Sequence, residues 1–157
     1  MDKREFEKGK SRAMYLLTAR TYTAKQIREK LIKNYAPETV DLIILWLVER
    51  EFIDDRKYAE NALSHMRGVK KYGSMRIKNE LRRKGVPDDI IADIMIDDKE
   101  NDYVEAIKSR IIKKYNDNIG TREGQAKIFA AMARYGFSYG DTKKAIAEIK
   151  NSREYIC

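Results

Sequence analysis

Three pairs of adjacent carboxylates, Asp54–Asp55, Asp88–Asp89 and Asp97–Asp98, are the side chains with which this chain could hold a divalent cation against a phosphate. Asp54–Asp55 and Asp88–Asp89 stand where helices should begin, and acidic side chains there accept from exposed backbone donors and complement the helix dipole. Capping is therefore their reading. The one histidine, His65, has no cysteine or carboxylate at ligand spacing, and the one cysteine, Cys157, is the last residue. Neither a zinc site nor a disulfide framework can be assembled from them, which suits a reducing compartment. No glycine loop of the GxxxxGK[ST] or GxGxxG type is present. The expectation is a protein that is not an enzyme, with no metal and no cofactor.

The chemistry that does stand out is attraction to anions. Residues 66–86, MRGVKKYGSMRIKNELRRKGV, hold eight Lys/Arg against one Glu, whereas residues 87–103 hold seven Asp/Glu against one Lys. The cations are Arg67, Lys70, Lys71, Arg76, Lys78, Arg82, Arg83 and Lys84. On a helical wheel Arg76, Asn79, Glu80 and Arg83 share one side, with Ile77 and Leu81 turned away, so one face packs and another is presented. Such a face offers salt-sensitive, sequence-independent attraction to phosphates or acidic protein surfaces. Whether the acidic stretch shields the basic one stays open at this point.

The elements that must position these residues are helices. QIREKLIKNYAPETV at 26–40 superposes on RIKNELRRKGVPDDI at 76–90 with a shift of fifty and no gap. Ile27 and Leu31 map onto Ile77 and Leu81, the i, i+4 spacing of one helical face. Pro37 and Pro87 mark helix–turn–helix joints, and Gly85 supplies a turn in the second copy. A third copy, KIFAAMARYGFSYGDTKKAI at 127–146, has Ile128 and Met132 in the paired places and Ser138 for the proline, where serine caps a helix start. The spacing predicts helices over 3–20, 23–34, 37–51, 55–69, 74–84, 87–97, 100–116, 122–135 and 139–152. The fold class is all-α: three tandem three-helix repeats, over 1–53, 54–98 and 99–157, in an elongated, curved array.

Periodicity also sorts the aromatic residues. Tyr15, Tyr35, Tyr58, Tyr103, Tyr115 and Tyr135 fall in apolar-periodic segments and are expected in the core or half-buried. Tyr22, Tyr72 and Tyr139, near helix starts, are expected to be exposed. Trp46, amid Ile43, Ile44, Leu47 and Val48, is expected to be buried under a neighbouring repeat. The net charge of +8 favours a polyanionic partner. The longest apolar run, Leu42–Val48, is far below the ~20 residues that span a bilayer, so the chain is expected in the cytoplasm with no membrane contact.

Taken in order, TARTYTAKQIREKLIKNYAPETVDLII, EREFIDDRKYAENAL, KKYGSMRIKNELRRKGVPDDII and RYGFSYGDTKKAI make this chain similar to the RecX family of bacterial recombinase regulators. The second segment carries Phe52-Ile53-Asp54-Asp55, and the third carries Gly73, Arg76, Ile77, Glu80, Leu81, Lys84 and Gly85 at the family's places. Two departures stand out: Glu51-Phe52 occupies a place where a glycine is common, and Tyr35-Ala36 replaces a usual Lys-Gly. The resemblance implies a non-enzymatic regulator that binds the RecA nucleoprotein filament along its groove. It further implies suppression of ATP hydrolysis and strand exchange, and so modulation of recombination, DNA repair and the SOS response. The eight cations above are then the expected contacts to filament and DNA, with bare single-stranded DNA bound weakly by a monomer. The competing reading is a helix-turn-helix regulator of duplex DNA.

Overall fold

The computed structural model describes residues 2–98 and 102–156, the last three without their side chains. Among them are nine α-helices and no strand. They are α1 Lys3–Ala19, α2 Ala24–Leu31, α3 Pro37–Glu49, α4 Asp55–Gly68, α5 Ser74–Arg83, α6 Asp88–Ile94, α7 Val104–Lys114, α8 Arg122–Arg134 and α9 Tyr139–Ile156. Taken in threes they are the three-helix repeats. The start expected for α7 at residues 100 and 101 lies outside the described residues, as does Cys157.

Local chemistry sets the helix starts. Asp2 accepts from Arg4 N–H, Thr121 from Gly124 N–H and Ser138 from Asp141 N–H, so the serine does cap where the other copies carry proline. Pro37 opens α3, where its missing N–H costs nothing. At α2 Thr23 and Gln26 form a reciprocal capping box, a signal present in the letters TAKQ. Asp54 accepts from Lys57 N–H as a cap, but Asp55 reaches away from its own helix to accept from Ala24 N–H at the start of α2. Burial pushes the Asp55 carboxyl up, the Ala24 hydrogen bond pulls it down, and neighbouring Asp54 pushes it up again.

The chain forms two compact units, Met1–Ala62 with Glu80–Ile94, and Leu63–Asn79 with Met95–Cys157. In the first, Ala13, Ile27, Leu31, Val40, Ile43 and Leu47 are fully buried. In the second, Ile107, Ile111, Ile128, Met132 and Ala145 are. All six paired apolar positions, Ile27/Leu31, Ile77/Leu81 and Ile128/Met132, have no exposed surface, each such burial being worth about 1.5–3 kcal/mol.

Each unit closes with the same contact. In the first, the Gly85 turn lies on the start of α2: Thr23 Oγ1 donates to Lys84 O at 2.6 Å, and a Cβ on Gly85 would meet Lys25 Cβ at 2.4 Å. In the second, the Gly136 turn lies on the start of α5: Gly73 N–H donates to Tyr135 O at 2.8 Å and Met75 N–H to Gly136 O at 3.1 Å. Both glycines have φ 94°, a conformation that a side chain would strain. Gly124, which the repeat aligns with Gly73, is covered instead by Asn118 O of the 3-10 turn Asn116–Asn118, 2.0 Å from where its Cβ would be.

Four aromatic expectations need correction, among them Tyr72, which is half-buried with Arg76 over its ring instead of exposed. Tyr15 is 67% exposed, its ring beside Arg12, while Tyr22 is 9% exposed between Arg20 and Lys30. Proximity to a helix start therefore did not mean exposure. The run around Trp46 is covered on one face only: Ile43 and Leu47 point inward, Ile44 and Trp46 are half-buried, and Leu42, Leu45 and Val48 are exposed. Trp46 stacks on Phe52 at 5.6 Å with Lys10 and Arg50 over its ring, so its partners come from its own unit. Tyr139 is exposed, as its place near a helix start indicates, and Tyr103 is buried, as its apolar-periodic segment indicates.

Candidate functional site

The eight expected cations divide between the two units. Arg82, Arg83 and Lys84 belong to the first, and carboxylates attend two of them: Arg82 Nε lies 2.9 Å from Asp88 and Arg83 Nη2 lies 2.5 Å from Glu80. Lys84 is half-buried, its carbonyl held by Thr23. These are exposed pairs of the kind worth about 0–1 kcal/mol, and they dilute the local positive field.

In the second unit the structure brings Arg67, Lys70 and Lys71 together with three cations absent from the sequence-derived set, Arg110, Lys113 and Lys114 of α7. The six line a cleft of about 610 Å³ beside the α4–α5 connection, with Val69, Tyr72 and Tyr103 among its other walls. Arg110, Lys113 and Lys114 stand at i, i+3 and i+4 along one flank of α7, beside the stripe of buried Ile107 and Ile111, so a wheel drawn over KSRIIKK groups them. Arg110 organises the rim. Its Nη2 donates to Lys70 O at 2.5 Å and Lys71 O at 3.1 Å, and its guanidinium lies 3.7 Å from the centre of the Tyr135 ring. Lys71 is thereby held at φ 56°, an uncommon conformation for a residue with a side chain.

Arg76 is fixed in a similar way. It lies 4.0 Å from the Tyr72 ring centre, with Tyr135 at 5.9 Å, and donates to Arg134 O at 3.3 Å. Lys78 is half-buried on the same helix. Within this unit Arg67 of the basic stretch pairs with Asp98 of the acidic one. Tyr103 also donates to Asp98. Burial alone would push the Asp98 carboxyl up, but hydrogen bonds from Tyr103, Ser74 and Arg67, with the Arg67 charge, hold it below the usual carboxylate range. Tyr103 is pushed up, by burial and by donating to that carboxylate.

Among the described residues no group of three or more His, Cys, Asp or Glu is placed to hold a metal, and no helix is long and apolar enough to cross a membrane. His65 is exposed on α4.

Residues 54–95, from the start of α4 to just past α6, match the model of the RecX second three-helix domain. A Clostridium acetobutylicum protein named regulatory protein RecX is 32% identical over 149 residues, which cover 90% of this chain and 68% of that protein. The chain belongs to the RecX family. Regulatory protein RecX of Streptococcus mutans is 28% identical over 96% of the chain, which spans only 59% of that relative's length. The crystal structure of RecX from Lactobacillus salivarius superposes with a TM-score of 0.82 at 28% identity, covering 94% of this chain and 97% of that one. The three-helix repeats are thus those of solved RecX structures, and the RecX proteins it matches are named regulatory proteins.

Proposed function

We propose that this RecX-family chain binds the RecA nucleoprotein filament and lowers its ATPase and strand exchange, modulating recombination, repair and the SOS response. The observation that carries the reading is family membership along nearly the whole chain, at sequence and fold level alike. The cationic cluster of the second unit supports it, because a filament presents DNA phosphates and a cation cluster gains salt-sensitive affinity from each one it neutralises. Repeats over 1–53, 54–98 and 99–157 would let one molecule engage successive protomers and gain effective concentration with each contact. The chain is taken to act as a cytoplasmic monomer that needs no cofactor.

Reading of duplex DNA through the helices that follow the first two turns, α3 and α6, is disfavoured by what they present. α3 exposes Leu42, Leu45 and Val48, and α6 exposes Asp88 and Asp89, neither suited to a phosphate-lined major groove.

The test is the single-strand-dependent ATPase of the cognate RecA with this protein titrated in, beside anisotropy of the same strand without RecA. Inhibition below the concentration at which bare strand is bound supports the reading. ATPase that falls only as the strand saturates, or does not fall, removes it. Charge reversal at Arg82, Arg83 and Lys84 is expected to weaken inhibition while leaving the fold intact.

A further inference from the structure

The cleft of the second unit has the lining of an anion site. Arg67, Lys70, Lys71, Arg110, Lys113 and Lys114 surround about 610 Å³, within the range of pockets that seat a ligand. Two carboxylates also line it, and both are engaged: Glu105 lies 3.2 Å from Lys108, and Asp102 accepts from Val104 N–H. Among the described residues Lys70, Lys71, Arg110, Lys113 and Lys114 have no acidic partner. The Nε atoms of Arg67 and Arg110 are buried without an acceptor. Cations outnumber carboxylates six to two among the described residues of this lining, and an anion seated there offsets the repulsion between them.

The aromatic rings indicate which part of a polyanion is recognised. Tyr72 has Arg76 4.0 Å and Lys70 5.7 Å from its ring centre, and Tyr135 has Arg110 at 3.7 Å. Arg76 over Tyr72 and Arg110 over Tyr135 take up ring surface on which a base would stack, and the rings hold these guanidinium groups in place. Lys113 and Lys114 are both exposed at the end of α7, so the lining extends along a surface.

We infer that this cleft is a binding site for successive phosphodiesters of a nucleic-acid single strand, recognised without contact to the bases. Arg110 is the positioning residue that orders the Lys70–Lys71 segment, and Lys113 and Lys114 contact the strand. The inference rests on the polyanion component of the filament reading and narrows it to one place.

The experiment is fluorescence anisotropy of a labelled oligothymidylate, without RecA, across a salt series. Lys113→Ala/Lys114→Ala is compared with Lys143→Ala/Lys144→Ala, which removes the same charge from exposed positions of α9, with helicity checked for both. The cleft variant is expected to weaken binding about tenfold and to lower the log–log salt slope by about 1.4, from roughly 0.7 per single-strand phosphate contact. The α9 variant is expected to change both little, and an abasic strand is expected to bind as well as the parent strand. Equal losses in the two variants would overturn the site, and failure of the abasic strand would overturn recognition without bases. Displacement by pyrophosphate, beyond that by chloride of equal ionic strength, would make a small polyphosphate the ligand instead. Running the RecA ATPase on the same variants separates the two readings. Strand binding that survives in the cleft variant overturns the site even where inhibition is lost, and strand loss with inhibition intact upholds it.

Discussion

A Cβ placed on Gly136 would stand 2.4 Å from the Cβ of Arg76, and Gly136 itself sits at φ 94°. The two residues meet where the turn before α9 rests on the first turn of α5, and the same relationship joins Gly85 to Lys25 where the turn before α6 rests on α2. Repeat meets repeat through a bare backbone, which is why these two turns carry glycine.

Gly136→Ala is accordingly expected to destabilise the second unit by at least about 2 kcal/mol, from left-handed strain together with displacement of α5. Thermal denaturation reads this as a fall of roughly 4–8 °C for a chain of this size. Gly120, with nothing within 4 Å of its Cβ position, is the control at which alanine is tolerated.

Glu51 stands where the family resemblance expects glycine, and the structure shows the reason for the glycine: its φ is 60°. Glu51→Gly relieves the strain at the expense of unfolded-state entropy, for a net gain of about 0.5–1 kcal/mol. Urea denaturation is expected to show a higher midpoint for glycine, whereas Glu51→Ala, strained like the parent, is expected to show none.

Asp98 has a folded-state pKa below its unfolded value, so its contribution is fully present above the unfolded value and disappears as pH falls through the folded one. Asp98→Asn is expected to cost about 1–3 kcal/mol at neutral pH by leaving Arg67 and Tyr103 poorly paired. It is also expected to flatten the acid limb of the stability curve. Asp55, pushed up by burial, contributes with the opposite sign. Tyr103 is raised, so its stabilisation is present below the ordinary tyrosine range and is lost at alkaline pH. Tyr103→Phe is expected to remove that alkaline loss.

Arg110→Lys keeps the charge but loses the planar fork that spans two carbonyls and the stacking on Tyr135. Lys70 and Lys71 are expected to become the first sites of tryptic cleavage, at several times the parent's rate, with overall stability lowered by less than about 2 kcal/mol. Gel analysis of limited digestion checks it.

Much of this was legible in the letters. The fifty-residue repeat placed all nine helices, because Ile27/Leu31, Ile77/Leu81 and Ile128/Met132 impose the helical period wherever they recur. The ends were less visible. α6 stops at Ile94 instead of residue 97, and α9 runs on to Ile156 beyond 152, since fraying depends on packing more than on propensity. The candidate cleft was half legible: the basic run 66–86 contains its Arg67, Lys70 and Lys71, but Arg110, Lys113 and Lys114 lie forty residues on, and the fold brings them to the same cleft. Tyr15 and Tyr22 exchanged their expected environments because a helical wheel records which way a side chain leaves its helix, not whether another helix arrives to cover it.

The Gly85 turn that completes the first unit also sets an order of events during synthesis. Thr23 finds its acceptor sixty-one residues later, at Lys84, so an emerging chain that already holds α1, α2 and α3 still lacks the contact that closes them. At about 5–20 residues per second the start of α2 waits several seconds on the ribosome for that turn. A fragment ended at the first repeat would lack that contact permanently, leaving the Thr23–Gln26 capping box as the local support of the start of α2.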